Sequence, residues 1–332
     1  MISMKTVVFT LCSNNYLAHA KTLGDSIIEK NPNVIFIIGL VDKKNPEIDY
    51  SLFSAFDIIE YDEIKCVDFP NMLSSYTIVE FNTAVKPFYI EMLWERYGKE
   101  CFIYYIDPDI VFYSPIEELN TYLNTNDIII TPHLIKAQIP INSVETNLLK
   151  TGIFNLGFIG LKFSENTVEF IKWWQERLKV YCYMDKKETF YVDQIWVNFV
   201  PALFDKVFIL REPIYNMAWW NLSERKLLEL NGEYYVNNSS CKLMFFHFSG
   251  YKPGSNKMIG RIDNDDYSFE KRPDLEKIFL EYEHSLLKNN LKSLSKTKPL
   301  IKFKDKKVST RQRIGMSLRY RFDLVLKKVF NI

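Results

Sequence analysis

Glycine is scarce in this 332-residue chain, with 11 in all, and no G-x-G-x-x-G or G-x-x-x-x-G-K-[ST] arrangement occurs. The dinucleotide fingerprint and the phosphate-cradling P-loop both need glycine where backbone approaches an anion, so neither is supported. Cysteine is sparse too: Cys12, Cys66, Cys101, Cys182 and Cys241 form no C-x-x-C pair and are odd in number. That pattern argues against a disulfide framework or a zinc site and for free thiols in a reducing compartment. No apolar stretch reaches the roughly 18 residues of a spanning helix. The opening MISMKTVVFTLCSNN has an apolar run of only about six residues, too short for a signal-peptide core. The expected location is therefore cytoplasmic.

What the chain does have is apolar mass. At 47% hydrophobic and 15% aromatic it can bury a sizeable core, in one large domain or two small ones. Its net charge of +1 conceals an asymmetry. Of 42 Lys and Arg and 41 Asp and Glu, 13 bases but only two acids, Asp305 and Asp323, fall in Leu291–Ile332, so that segment carries +11 and the rest −10. Such a tail suits an anionic surface, and the acidic body would repel nucleic acid. Lysine-rich sequence from about Lys288 to Lys307 reads as a linker. After Ser309, Ile314, Leu318, Phe322, Val325 and Val329 recur at three- and four-residue spacing, with Arg311, Arg313, Arg319, Arg321, Lys327 and Lys328 on the remaining surface. This predicts a basic amphipathic helix over 309–330 that lies in a membrane interface or docks on protein. The expected division is a catalytic body over 1–287 and a basic linker and helix over 288–332.

Apolar runs at Lys5–Leu11, Val34–Val41, Phe56–Tyr61 and Asp127–Thr131 predict strands. Helices are expected over Leu17–Glu29, Thr83–Tyr97 (with Lys86 in the first turn) and Glu165–Val180. Strands alternating with helices indicate an α/β sheet that is mainly parallel. The most informative stretch is FIYYIDPDIVFY, Phe102–Tyr113, where a buried strand ends abruptly at Asp107-Pro108-Asp109. Pro108 pushes Asp107 toward extended geometry, in which residues two apart point the same way, so both carboxylates can reach one point. Two hard oxygen ligands at the carboxyl end of a buried strand suit Mg²⁺ or Mn²⁺ carrying a phosphate-bearing substrate. Asp-Pro-Asp is equally a turn that closes a strand.

Four further features have both a chemical and a structural reading. His247 ends a strand over Lys242–Phe248 and could complete an oxygen-rich divalent site, or be a core histidine. Gly250 permits close backbone approach and Lys252 supplies a compact cation for a phosphate, or is a solvated turn lysine. Asn155 beside Gly157 suits hydroxyl recognition or marks a bulged strand. Asp193-Gln194 opens a helix, where Asp is favoured for capping alone.

Taken in order, these residues resemble the GT-A fold glycosyltransferases, and most closely glycosyltransferase family 8, which includes glycogenin and bacterial lipopolysaccharide galactosyl- and glucosyltransferases. The resemblance covers roughly Lys5 to Pro253. It implies an α/β, Rossmann-like, mainly parallel sheet flanked by helices, with a C-terminal helical basic tail. It also implies a first strand and loop, Thr10, Cys12, Asn14 and Tyr16, that hold the uridine, with Tyr16 stacked on the base. Asp42, Lys86, Gly157 and Gly250 join the implied donor site, with Lys252 on the diphosphate. Asp107, Asp109 and His247 would hold Mn²⁺ or Mg²⁺, Asn155 would face the donor sugar, and Asp193 and Gln194 would lie beside the reacting carbon. HFSGYKPG is one residue shorter than the family's H-F-x-G-x-x-K-P-W and lacks its tryptophan, and Trp219-Trp220 has no counterpart. The implied activity moves a sugar from a UDP-linked donor to an acceptor hydroxyl, with retention. A cytosolic location with a basic tail favours a lipid-linked or membrane-proximal glycan or glycolipid precursor as the acceptor, with a soluble or protein acceptor as the alternative. Two rivals differ in chemistry. A metal-dependent phosphohydrolase would want a second metal site, which four histidines hardly supply. An inactive sugar-nucleotide-binding or partner-binding module would not need Asp107, Asp109 and His247 intact.

Overall fold

Strands with no polar face must be covered on both sides, and the inner strands here are of that kind. The computed structural model describes residues 4–185, 190–259 and 265–304. Among them, the sheet strands are β1 (Lys5–Cys12), β2 (Ile35–Leu40), β3 (Asp57–Glu60), β4 (Cys101–Ile106), β6 (Ile128–Pro132), β7 (Phe154–Lys162) and β8 (Val207–Ile209). Two more strands, β5 (Ile110–Phe112) and β9 (Phe245–His247), stand outside that sheet and pair with each other. The sheet order is β8–β6–β7–β4–β1–β2–β3. β1, β2, β3 and β4 pair in parallel, as do β6 and β8, while β7 runs antiparallel to both β4 and β6. Side chains alternate between two cores: Val8, Ile38 and Tyr104 face one, and Val7, Phe9, Ile37 and Tyr105 face the other. The chain moves outward from β1 to β3 and then returns to place β4 on the other side of β1. The strand order thus reverses at β1 and β4, and the crevice beyond their carboxyl ends is where an α/β sheet takes ligands.

Seven of the helices frame the site and its surroundings: α1 (Leu17–Lys30), α2 (Ile78–Ala84), α3 (Lys86–Tyr97), α4 (Glu165–Leu178), α5 (Gln194–Val197), α6 (Glu276–Lys288) and α7 (Leu291–Leu294). The single helix expected over Thr83–Tyr97 is two. Pro87 in the first turn of α3 has no N–H to continue the α2 ladder, so the chain restarts at Lys86. The expected linker also differs. As far as Lys304 it is packed: Leu291 and Leu294 are buried, Phe303 lies on Phe81 (5.9 Å between rings), and the Lys304 N–H donates to the Tyr76 carbonyl (3.1 Å). The lysine-rich composition hid apolar anchors spaced between the charges. The helix expected over 309–330 lies outside the described residues. No described helix is long and apolar enough to cross a membrane.

Candidate active site and metal centre

β4 delivers Asp107 to the crevice, where its N–H donates to the Gly157 carbonyl (2.8 Å). The chain then turns at Pro108 and leaves the sheet as β5, with Ile110 opposite His247 of β9. The Phe248 N–H closes this pairing on the Asp109 carbonyl (2.8 Å). His247 Nε2 consequently lies 3.1 Å from Asp109 Oδ1 and 3.8 Å from Asp107 Oδ2. One ligand atom from each of the three lies within 4.8 Å of the others. Two carboxylates and one imidazole converging on a point form a donor set that fits Mn²⁺ or Mg²⁺. Burial alone would lower the His247 pKa, but the charge and hydrogen bond of Asp109, with Asp107 behind, raise it above the ordinary imidazole value. Burial likewise works to raise Asp109, and the facing His247 more than offsets it, holding the carboxyl below its usual range.

Asn216 orients the imidazole. Its Nδ2 donates to Thr131 Oγ1 (2.9 Å) and Asn155 Oδ1 (3.0 Å), which leaves its Oδ1 facing His247 Nδ1 at 3.3 Å. With Nδ1–H on Asn216, Nε2 faces the two carboxylates, donating to Asp109 in the imidazolium and leaving its lone pair for a cation in the neutral ring. Asn216 is fully buried at φ +52°, a left-handed conformation that asparagine tolerates well. Nothing in its spacing marks it in the sequence. Asn216→Ala is expected to weaken Mn²⁺ binding about tenfold by calorimetric titration, the range typical of outer-sphere partners. Unchanged affinity would mean that the imidazole is oriented without it. Gly157 lies against the same ring, where a Cβ would come within 2.5 Å of His247 Cε1.

Behind the carboxylates sits a buried ion pair. Lys86 Nζ donates to the Leu156 carbonyl (2.9 Å), lies 4.1 Å from the centre of the Tyr105 ring and is 3.9 Å from Asp107 Oδ1. Asp193 Oδ2 is 2.7 Å away, an ion-pair contact without hydrogen-bond alignment, since that oxygen has no hydrogen-bond partner among the described residues. Burial raises the Asp193 carboxyl pKa, and Lys86 only partly offsets it. Asp193 caps no N–H of α5 with its side chain, so its place is not a matter of capping. The preceding Val192 has φ +44°, a strained backbone for a β-branched residue. Gln194 Nε2 donates to the Thr151 carbonyl (2.7 Å), and its Oε1 faces the Leu156 N–H (3.3 Å) and Asn155 Nδ2 (3.4 Å). Gln194 and Asn155 thus share one amide network, in a stretch where the β6–β7 register is irregular between Ile130 and Thr131.

On the β1 side of the crevice, Thr10 and Cys12 are buried, and Thr10 Oγ1 has no partner among the described residues. Burial, with Asp42 adding to it, pushes the Cys12 thiol pKa up. Asn14 is fully buried, its Nδ2 donating to Asp42 Oδ2 (2.7 Å) and its Oδ1 accepting from the Tyr50 hydroxyl (2.6 Å). Tyr16 stacks on His19 (4.3 Å between rings) and remains 42% exposed. Gly250, at φ +77°, occupies the third position of a turn closed by the Tyr251 N–H on the Phe248 carbonyl (3.0 Å). Lys252 follows on that turn, exposed and in no ion pair among the described residues.

Some of the wall was not legible in the sequence. Trp220 sets its ring edge-on to His247 (5.2 Å) and to His133 (5.3 Å), so half of the Trp219-Trp220 pair belongs to the site. His133 faces Asn155 Nδ2 with Nε2 (3.3 Å), and burial pushes its pKa down to about 4, keeping that nitrogen an acceptor. His19 Nδ1, Trp220 Nε1 and the Tyr282 hydroxyl are buried polar atoms without a partner among the described residues.

No family model matches the chain. The Bacillus subtilis (strain 168) uncharacterized protein YfnF is 30% identical over 190 residues, 55% of this chain and 60% of YfnF. The glycosyltransferase GlyE of Streptococcus pneumoniae TIGR4 superposes on 89% of this chain and 66% of its own, with a TM-score of 0.49 and 16% identity. The chain thus spans less than two thirds of either protein. The galactosyltransferase LgtC, solved with donor and acceptor sugar analogues, superposes on 89% of this chain and 98% of its own at a TM-score of 0.45 and 13% identity.

Proposed function

We propose that the chain is a metal-dependent glycosyltransferase of the GT-A type, moving a sugar from a UDP-linked donor to an acceptor hydroxyl with retention. The convergence of Asp107, Asp109 and His247 at the switch-point crevice carries this reading. They would hold Mn²⁺ or Mg²⁺, and the cation would neutralise charge on the diphosphate leaving group. Thr10, Cys12 and Tyr16 form the base side of the site, with Asn14 and Asp42 shaping its loop. Asn155, Gly157 and Gln194 face the sugar. The Lys86–Asp193 pair sets the strand ends and presents Asp193 toward positive charge developing at the anomeric carbon. Lys252, exposed after the turn that follows His247, would meet the diphosphate. The Tyr105 hydroxyl donates to Asp107 Oδ1 (2.5 Å), and Trp220 covers the imidazole of His247. We assign the acceptor to a glycan or glycolipid precursor and give the basic segment 309–330 contact with an anionic membrane surface. The test is incubation with a panel of UDP-sugars and Mn²⁺ while UDP release is measured. Release with at least one donor, abolished by chelator and restored by Mn²⁺, is expected. Release that resists chelator, liberation of inorganic phosphate in place of UDP, or no release with any donor would sink the reading.

A further inference from the structure

Residues 291–304 reach the nucleotide side of the crevice from the far end of the sequence. Helix α7 packs on α1 and on the loop Asn14–Tyr16. Beyond Pro299, the backbone N–H groups of Leu300 and Ile301 donate to Asp42 Oδ1 at 3.0 and 3.2 Å. The Lys43 N–H joins them on the same oxygen (2.9 Å). The other oxygen, Oδ2, accepts from Asn14 Nδ2 (2.7 Å), and Asn14 is held in turn by the Tyr50 hydroxyl (2.6 Å). Asp42 is fully buried, and these four donors satisfy both of its oxygens. Its carboxylate therefore joins the C-terminal segment to the loop between β1 and α1, beside the packing of α7 on that loop. Downstream, Phe303 on Phe81 and the Lys304 N–H on the Tyr76 carbonyl fasten the segment to the body.

We propose that residues 299–304 are a strap that sets the nucleotide-binding loop through Asp42, which makes Asp42 a positioning residue for the donor base rather than a contact to it. The inference rests on the nucleotide-sugar reading above and specifies where its affinity is set. The physical ground is pre-organisation. A loop fixed before binding gives up less conformational freedom when the base arrives. With Asp42 released from the strap, its carboxylate can rotate, Asn14 loses a fixed acceptor, and the loop must be ordered by the nucleotide itself.

The test uses the full-length protein and UDP with Mn²⁺. Leu300→Pro deletes one strap donor at a half-exposed position, and Phe303→Ala loosens the strap while keeping every N–H. Leu300→Pro is expected to raise the Kd for UDP about tenfold and to speed hydrogen exchange at the Asn14–Tyr16 amides, with a smaller rise for Phe303→Ala. Asp42→Ala should raise Kd at least as far. Adding Leu300→Pro to Asp42→Ala should then change Kd by less than about twofold, because both act on one linkage. A merely structural strap would instead lower melting temperature and leave Kd and loop exchange alone. If the wild type binds UDP and both strap variants bind it equally well, or if the two effects multiply, the strap inference falls alone. If the wild type binds no UDP, the nucleotide-sugar reading falls and takes the strap with it.

Discussion

Asp109→Ala is expected to lower sugar transfer by about a thousandfold, equivalent to about 4 kcal/mol of barrier, while the protein stays folded. The two halves of that expectation come from different atoms. The carboxylate, 3.1 Å from His247 Nε2, is one of three groups proposed to hold the cation. The backbone carbonyl of the same residue accepts the Phe248 N–H at 2.8 Å, and alanine keeps it, so the β5–β9 pairing survives. Removing the carboxylate also removes the larger of the two charges that raise the His247 pKa, leaving Asp107 alone against burial, which pushes that imidazole toward its neutral form. Melting temperature and UDP release, measured on the same preparation, separate these effects. A variant that loses activity only in proportion to lost folded protein would make Asp109 a structural residue. A variant with full turnover would remove it from the site.

The largest stability effect is expected at Lys86. Lys86→Met leaves the Asp193 carboxylate buried without its partner, a loss of about 3–5 kcal/mol by urea denaturation. Asp193→Asn should cost less. The remaining ammonium keeps the Leu156 carbonyl, the Tyr105 ring and Asp107 at 3.9 Å, and is thus better accommodated than an orphaned carboxylate. Combining the two changes should restore part of what Lys86→Met loses, because each single variant strands a charge and the double variant strands none. If Lys86→Met lies within about 1 kcal/mol of the wild type, Asp193 is neutral in the fold, and its placement near positive charge at the anomeric carbon loses its basis.

The inner strands were legible because a run such as VVFTL or FIYYI, apolar on both faces, can only be covered on both sides. Asp107, Asp109 and His247 stood out because each is a polar residue at the end of such a run, where period-two geometry states its direction without knowledge of the rest. Asp42 ends a run too, yet its role was not legible. Two of the donors it meets are backbone N–H groups more than 250 residues downstream, in a stretch whose composition reads as a linker. A backbone donor carries no residue signature. Asn216 was hidden for a related reason: a left-handed asparagine between three polar partners has no periodicity, and only the folded chain brings Thr131, Asn155 and His247 to it. The break between α2 and α3 was readable from Pro87, but the apolar periodicity on either side masked it.

β5 and β9 pair with each other and with no strand of the main sheet, so the proposed ligands come from two short strands that are remote in sequence. A cation bound there would act as a cross-link, closing the chain from residue 109 to residue 247 into a loop. A cation that binds only the closed form stabilises it by mass action. Metal occupancy and folding of the middle of the chain, including β6, β7, Asp193 and Asn216, would then be one equilibrium. Proteases should report it: cleavage between residues 110 and 245 slows as Mn²⁺ is added, whereas cleavage in the first two strands does not.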